Sequence, residues 1–152
     1  MIQKDTLKSI IKPQLESLDS KDYTVDREKS KEITVEVGFA IVLSGVRRCG
    51  KSTLLRQMMK KIRKFYYLNF EDPRLFDFQV SDFQKLEEAF KEELGDSDYY
   101  FFDEIQNVQR WELFVRSLLD RKKHVVITGS NASLLSKELG TRLTGRKSLQ
   151  SS

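Results

Sequence analysis

Four short apolar runs, most of them followed by a stretch of helical periodicity, restrict this chain to one broad class of fold. Residues 39–43 (FAIVL), 65–68 (FYYL), 99–102 (YYFF) and 125–127 (VVI) are apolar or aromatic throughout. A half-exposed strand alternates polar and apolar residues, so an unbroken run reads as a strand buried on both faces, as in a parallel sheet. Between the runs the apolar spacing changes to three and four. Leu54, Leu55, Met58, Met59 and Ile62 share one helical face. Phe83, Leu86, Phe90 and Leu94 share another, with Gly95 as its stop. Trp111, Phe114, Val115, Leu118 and Leu119 form a third, and Leu134, Leu135 and Leu139 predict a short helix ending at Gly140. Strand and helix in this order predict an α/β three-layer sandwich: a parallel sheet of at least four strands, covered by helices on both faces.

The chain before the first run is different. Ile33, Val35 and Val37 alternate like a half-buried strand, and residues 26–32 suit a short helix. Thr6, Leu7, Ile10 and Ile11 have partial helical spacing, which Pro13 is expected to interrupt. The expected organisation is an N-terminal helical extension over 1–32, a core over 33–146 and an irregular tail over 147–152. That tail, KSLQSS, has no apolar run of strand length.

Composition agrees with one domain. The 152 residues are 39% hydrophobic and 33% charged, enough apolar material for one core. A net charge of +4 suits anion affinity but does not by itself argue for nucleic acid. Cys49 is the only cysteine, so no intrachain disulfide forms, which fits a reducing compartment. No segment approaches eighteen consecutive apolar residues, and the N-terminus lacks the apolar stretch of a signal peptide. A cytoplasmic location without a membrane partner is the expectation.

The connection after the first run is the sharpest motif. Gly45-Val46-Arg47-Arg48-Cys49-Gly50-Lys51-Ser52 matches G-x-x-x-x-G-K-[ST] at every specified position. Phosphate oxygens need several backbone N–H donors converging on them, so the chain must bend tightly, and glycine permits this. The helix that follows offers unpaired N–H groups and the positive end of its dipole. Lys51 supplies a mobile cation for the β and γ phosphates, and the Ser52 hydroxyl is a magnesium ligand of the right reach. Residues 45–52 together with Thr53 are therefore the candidate nucleotide-binding set. Cys49 reads as a small filler residue; a redox switch there would lack a partner cysteine.

A second signal stands about fifty residues later. The run at 99–102 ends in Asp103-Glu104. At the carboxyl edge of a parallel sheet such residues point into the ligand crevice. Asp103 would hold magnesium through water, and Glu104 would orient and deprotonate the attacking water. The alternative is a pair of acidic helix caps. The adjacent pair, with one strand between it and the phosphate loop, suits ATP chemistry. The Asn-Lys-x-Asp signature of guanine recognition is absent from the sequence. His124, the one histidine, reads as a strand-edge residue, and Trp111 as core. The basic cluster Lys60, Lys61, Arg63 and Lys64 suits a helix C-terminus, with nucleic-acid contact as the alternative.

Residues 45–57 (GVRRCGKSTLLRQ), 67–75 (YLNFEDPRL), 103–111 (DEIQNVQRW) and 127–146 (ITGSNASLLSKELGTRLTGR) together resemble the prokaryotic AAA-superfamily ATPases that usually carry an uncharacterised C-terminal domain. The resemblance covers residues 23–146. It implies that Lys51 and Ser52 are the phosphate-loop pair, and Asp103 and Glu104 the Walker B pair. It places Ser130 and Asn131 at the sensor position, where N-capping of the next helix is the alternative. Arg142 and Arg146 fall in the segment that offers an arginine finger in related ATPases, with solvated charge as the alternative. It also implies a fifth strand, a helical lid and a further domain after Arg146, so this chain is expected to stop before them. The strand at 39–44 would then be an exposed edge, covered by residues 33–37 or by a second chain. The expected function is Mg-ATP hydrolysis that drives conformational change in a longer protein, with self-association and turnover limited by the missing parts. The alternatives are a nucleotide-binding module with little turnover and, on the basic cluster alone, a nucleic-acid-associated ATPase.

Overall fold

The computed structural model describes residues 2–20, 40–44, 51–129 and 147–150. In chain order the elements are helix α1 (Lys4–Ser20), strand β1 (Ala40–Ser44), helix α2 (Lys51–Lys60), strand β2 (Tyr66–Asn69), helix α3 (Phe83–Leu94), strand β3 (Tyr99–Asp103), helix α4 (Trp111–Asp120), strand β4 (His124–Gly129) and strand β5 (Lys147–Gln150). Single 3-10 turns lie at Pro73–Leu75, Val80–Asp82 and Ile105–Asn107. All strand pairs are parallel and the sheet order is β2-β3-β4-β1-β5. The segments at 26–32, 33–37 and 134–140 lie outside the described residues.

The unbroken apolar runs are buried on both faces. Val42, Tyr66, Leu68, Tyr100, Phe102, Val125 and Ile127 face one core, shared with α1, α3 and α4. Ile41, Tyr67, Phe101 and Val126, one residue out of step, face a smaller core with Leu55, Met58 and Met59 of α2. Since neighbouring residues of a strand point to opposite faces, one run fills two layers. The predicted α/β sandwich is the observed architecture.

Two expectations are corrected. Helix α1 is not interrupted at Pro13 but runs through it. Proline removes one helical hydrogen bond, yet Pro13 lies on the exposed side, where water can serve the freed carbonyl. On the other side Leu7, Ile10 and Ile11 are fully buried in the larger core, and burial of three such side chains, about 1.5–3 kcal/mol each, outweighs the loss. Lys4 binds Glu92 of α3 at 2.8 Å, and Lys8 reaches the same carboxylate.

The tail is the second correction. Lys147–Gln150 is not irregular but forms β5, in register with β1 from Ile41↔Lys147 to Ser44↔Gln150. The expected stop before a fifth strand and the exposed edge at β1 both fall, because β1 lies between β4 and β5. The physical reason is that a four-residue edge strand is selected by the N–H and C=O groups its neighbour offers, a property invisible to apolar periodicity. Self-association by pairing at β1 loses its basis.

Helix ends follow local chemistry. Gly95 closes α3 at φ +82° and returns its N–H to Lys91 at 2.9 Å. Helix α4 ends differently: Lys122 N–H donates to Leu119 and Lys123 N–H to Leu118, both at 3.0 Å, and Lys122 sits at φ +62°. This is a Schellman cap with lysine where glycine is favoured. Lys122→Gly is expected to raise stability by about 0.5 kcal/mol, because relieved strain exceeds the added chain entropy. Thermal denaturation should show a midpoint higher by about 1–2 °C; a lower midpoint would mean that the lysine makes a contact worth more than its strain.

Candidate functional site

The carboxyl ends of β2, β3 and β4 gather a small polar group. Asn69 is in register with Asp103, and Leu43 with Thr128. Tyr67, Phe101 and Val126 pack against α2, so the pleat carries Asp103 and Thr128, each two residues on, to the same face. That face belongs to the helix that opens at Lys51.

Asp103 is gripped from both sides. The Tyr67 hydroxyl on β2 donates to Asp103 Oδ2 at 3.0 Å. The Thr128 hydroxyl on β4 donates to Asp103 Oδ1, and Thr128 Oγ1 accepts the Glu104 N–H at 2.9 Å. Burial, and then the Asp103 charge, push the Tyr67 hydroxyl well above its ordinary value of 10, so it stays a donor at neutral pH. The backbone carbonyl of Asp103 accepts the Phe70 N–H at 2.9 Å, which continues the ladder past the end of β2.

Glu104 turns the chain out of the sheet. It adopts the left-handed conformation, φ +53° and ψ +49°, which costs a residue with a Cβ about 1–2 kcal/mol and is often held at functional sites. Its carboxylate accepts from Gln106 Nε2 at 2.8 Å, and its carbonyl accepts from the Asn107 backbone and side-chain amides at 3.3 and 3.2 Å. Glu104 stands at the N-cap of the following 3-10 turn but makes no side-chain cap bond to it, unlike the helix-capping alternative. It is buried, with 5% of its surface exposed.

Helix α1 reaches the same corner. Gln14 accepts the Asn69 N–H at 2.8 Å and returns its amide to the Asn69 carbonyl at 3.1 Å, so one side chain pairs with the end of β2 as a strand would. The same amide lies 3.2 Å from Asp72 Oδ2. Asp72 is held down to about 2, chiefly by hydrogen bonds from Arg74. A cavity of about 140 Å³ remains between α1, α2 and the strand ends, lined among others by Gln14, Leu55, Arg56, Tyr67 and Asp103.

The sequence-derived residues divide as follows. Asp103 and Glu104 are side by side at the end of β3. Gly45, Val46, Arg47, Arg48, Cys49 and Gly50 lie outside the described residues, as do Ser130, Asn131, Arg142 and Arg146. Lys51, Ser52 and Thr53 form the first turn of α2, and their side chains are outside the described ones. Tyr67, Thr128 and Gln14 escaped sequence reasoning. Tyr67 and Thr128 sit within or beside apolar runs and read as strand residues, and nothing local marks Gln14. The available signal was Thr128 itself, a polar residue one strand over from Asp103 and directly after the run at 125–127. His124 begins β4 and stacks on Tyr99 at 4.3 Å, and Trp111 is buried in the core, both as expected. Lys60 ends α2, with Lys61, Arg63 and Lys64 exposed beyond it.

Among the described residues no helix is long and apolar enough to cross a membrane. The chain is 45% identical over 109 residues to an uncharacterised protein of Methanocaldococcus jannaschii, covering 69% of this chain and 24% of that protein. It is 41% identical over 123 residues to an uncharacterised protein of Haemophilus influenzae, covering 73% of this chain and 30% of that protein. The chain thus spans less than a third of the length of either relative. The solved structure of C. elegans PCH-2 is similar with a TM-score of 0.43 and 19% identity, over 95% of this chain and 40% of that one. A family model described as AAA domain matches residues 38–150, which take in every strand of the sheet. The chain belongs to the AAA domain family, and with it to the P-loop nucleotide-binding proteins.

Proposed function

We propose that this chain binds ATP with magnesium at the carboxyl ends of β1, β3 and β4, and hydrolyses it to drive conformational change in a longer protein. One observation carries the reading: Asp103 stands fixed on the face of the sheet covered by α2, the helix that the G-x-x-x-x-G-K-S sequence opens. Phosphates seated at the start of that helix would meet Lys51, and Ser52 and Asp103 would hold the magnesium that screens their charge. The donor set suits magnesium. That ion keeps several waters and needs one or two carboxylates beside the phosphates, and a partly exposed aspartate between two hydroxyls is such a partner. Glu104, oriented by Gln106, is the candidate base. Ser130 or Asn131 would touch the γ-phosphate, and Arg142 or Arg146 would stabilise its developing charge.

A second reading, nucleotide binding with little turnover, draws on the burial of Glu104 and its bond to Gln106. One experiment separates the two. ATP titration by calorimetry and phosphate release are measured on this chain and on Glu104→Gln. The parent is expected to bind and hydrolyse ATP. The variant should bind it while turnover falls about a hundred-fold, the usual loss when a general base is removed. Binding without phosphate release in the parent would favour the second reading, and no binding at all would overturn both.

A further inference from the structure

We propose that Tyr67 is a positioning residue for the metal site, its hydroxyl setting the plane of the Asp103 carboxylate. The inference rests on the reading of Asp103 as the magnesium partner and extends it to a residue on a different strand. An aspartate's terminal torsion is broad and roughly two-fold, so an unheld carboxylate at a strand end samples many planes. Here each oxygen is engaged by a hydroxyl from a different neighbouring strand, Oδ2 by Tyr67 on β2 and Oδ1 by Thr128 on β4. Rotation of the carboxylate would break both bonds together.

The tyrosine type is needed for this. A phenylalanine would fill the same place against α2, but only a phenol spans from the middle of β2 to the end of β3. The neighbouring tyrosine shows that the pair is not redundant: Tyr66 points to the opposite core, and its hydroxyl donates to the Gly95 carbonyl at 2.5 Å. Tyr67 is 3% exposed, and its hydroxyl is directed at Asp103.

A buried tyrosine commonly finds some hydrogen-bond partner, so the test must separate positioning from simple satisfaction. ATP binding is measured by calorimetry in EDTA and across a magnesium series, for the parent, Tyr67→Phe, Asp103→Asn and the double variant. Tyr67→Phe removes one atom and keeps the ring packing, and melting curves establish that it is folded. Loss of a residue that orients a metal partner typically costs about ten-fold or more in metal affinity. The expected result is therefore an about ten-fold rise in the magnesium concentration for half-maximal enhancement, with affinity in EDTA within about two-fold of the parent. On the Asp103→Asn background Tyr67→Phe should add nothing. A parent that depends on magnesium and a Tyr67→Phe that matches it would overturn the positioning role alone, as would additive effects in the double variant. A parent indifferent to magnesium would overturn the metal reading of Asp103 and this inference with it.

Discussion

Replacing Lys51 with alanine is expected to weaken ATP binding by about two to three orders of magnitude. A charge-assisted hydrogen bond contributes about 1.5–3 kcal/mol, and a lysine at this position in the loop would reach two phosphates; each 1.4 kcal/mol is ten-fold in affinity. The fold should be untouched, because the first turn of α2 precedes the positions, Leu55, Met58 and Met59, that bury the helix. Alanine is also the best helix former. Calorimetric titration with Mg-ATP gives the affinity, and circular dichroism shows that the variant is folded. Unchanged affinity would mean that residues 45–52 are not the phosphate loop, and with that the proposed function would fail.

The largest effect on stability is expected at Phe83. It heads α3 and touches four other rings: it stacks on Phe114 of α4 at 3.9 Å and meets Phe78 at 4.8 Å, Phe70 at 5.9 Å and Phe102 of β3 at 6.0 Å. It therefore joins two helices, a strand and the loop after β2 at one point. Phe83→Ala removes a ring that is 1% exposed. Large aromatic deletions in cores cost about 3–5 kcal/mol, against a typical total of about 5–15 kcal/mol for a domain. Urea denaturation should show a much lower midpoint with a similar slope. A loss below about 1 kcal/mol would show that the aromatic cluster does not hold α3 and α4 to the sheet. The loops after β2 and β3 lean on the same cluster, so the variant should also lose order at the Asp103 corner before it unfolds.

The sequence by itself determined strands β1 to β4, helices α2 to α4 and the place of the two motifs along the chain. Each of the four apolar runs coincides with a strand buried on both faces, and the stripes at 83–94 and 111–119 coincide with α3 and α4, because burial and helical period are written in neighbouring residues. The phosphate-loop pattern and Asp103-Glu104 are legible for the same reason, since their chemistry depends on residue type at fixed spacing. Only the tertiary structure decided what those motifs meet. Tyr67 and Thr128 close on Asp103 because β2 and β4 flank β3, and strand order is not a property of any one segment. Gln14 reaches Asn69 because α1 docks on the sheet through Leu7, Ile10 and Ile11, whose burial overrides a local helix breaker at Pro13. Strand β5 forms because β1 offers a row of unpaired backbone groups that a polar four-residue segment can satisfy. Periodicity reports what a residue does relative to its neighbours in the chain; pairing across the sheet is settled by groups tens of residues away, whose backbone hydrogen bonds carry no signature in side-chain type.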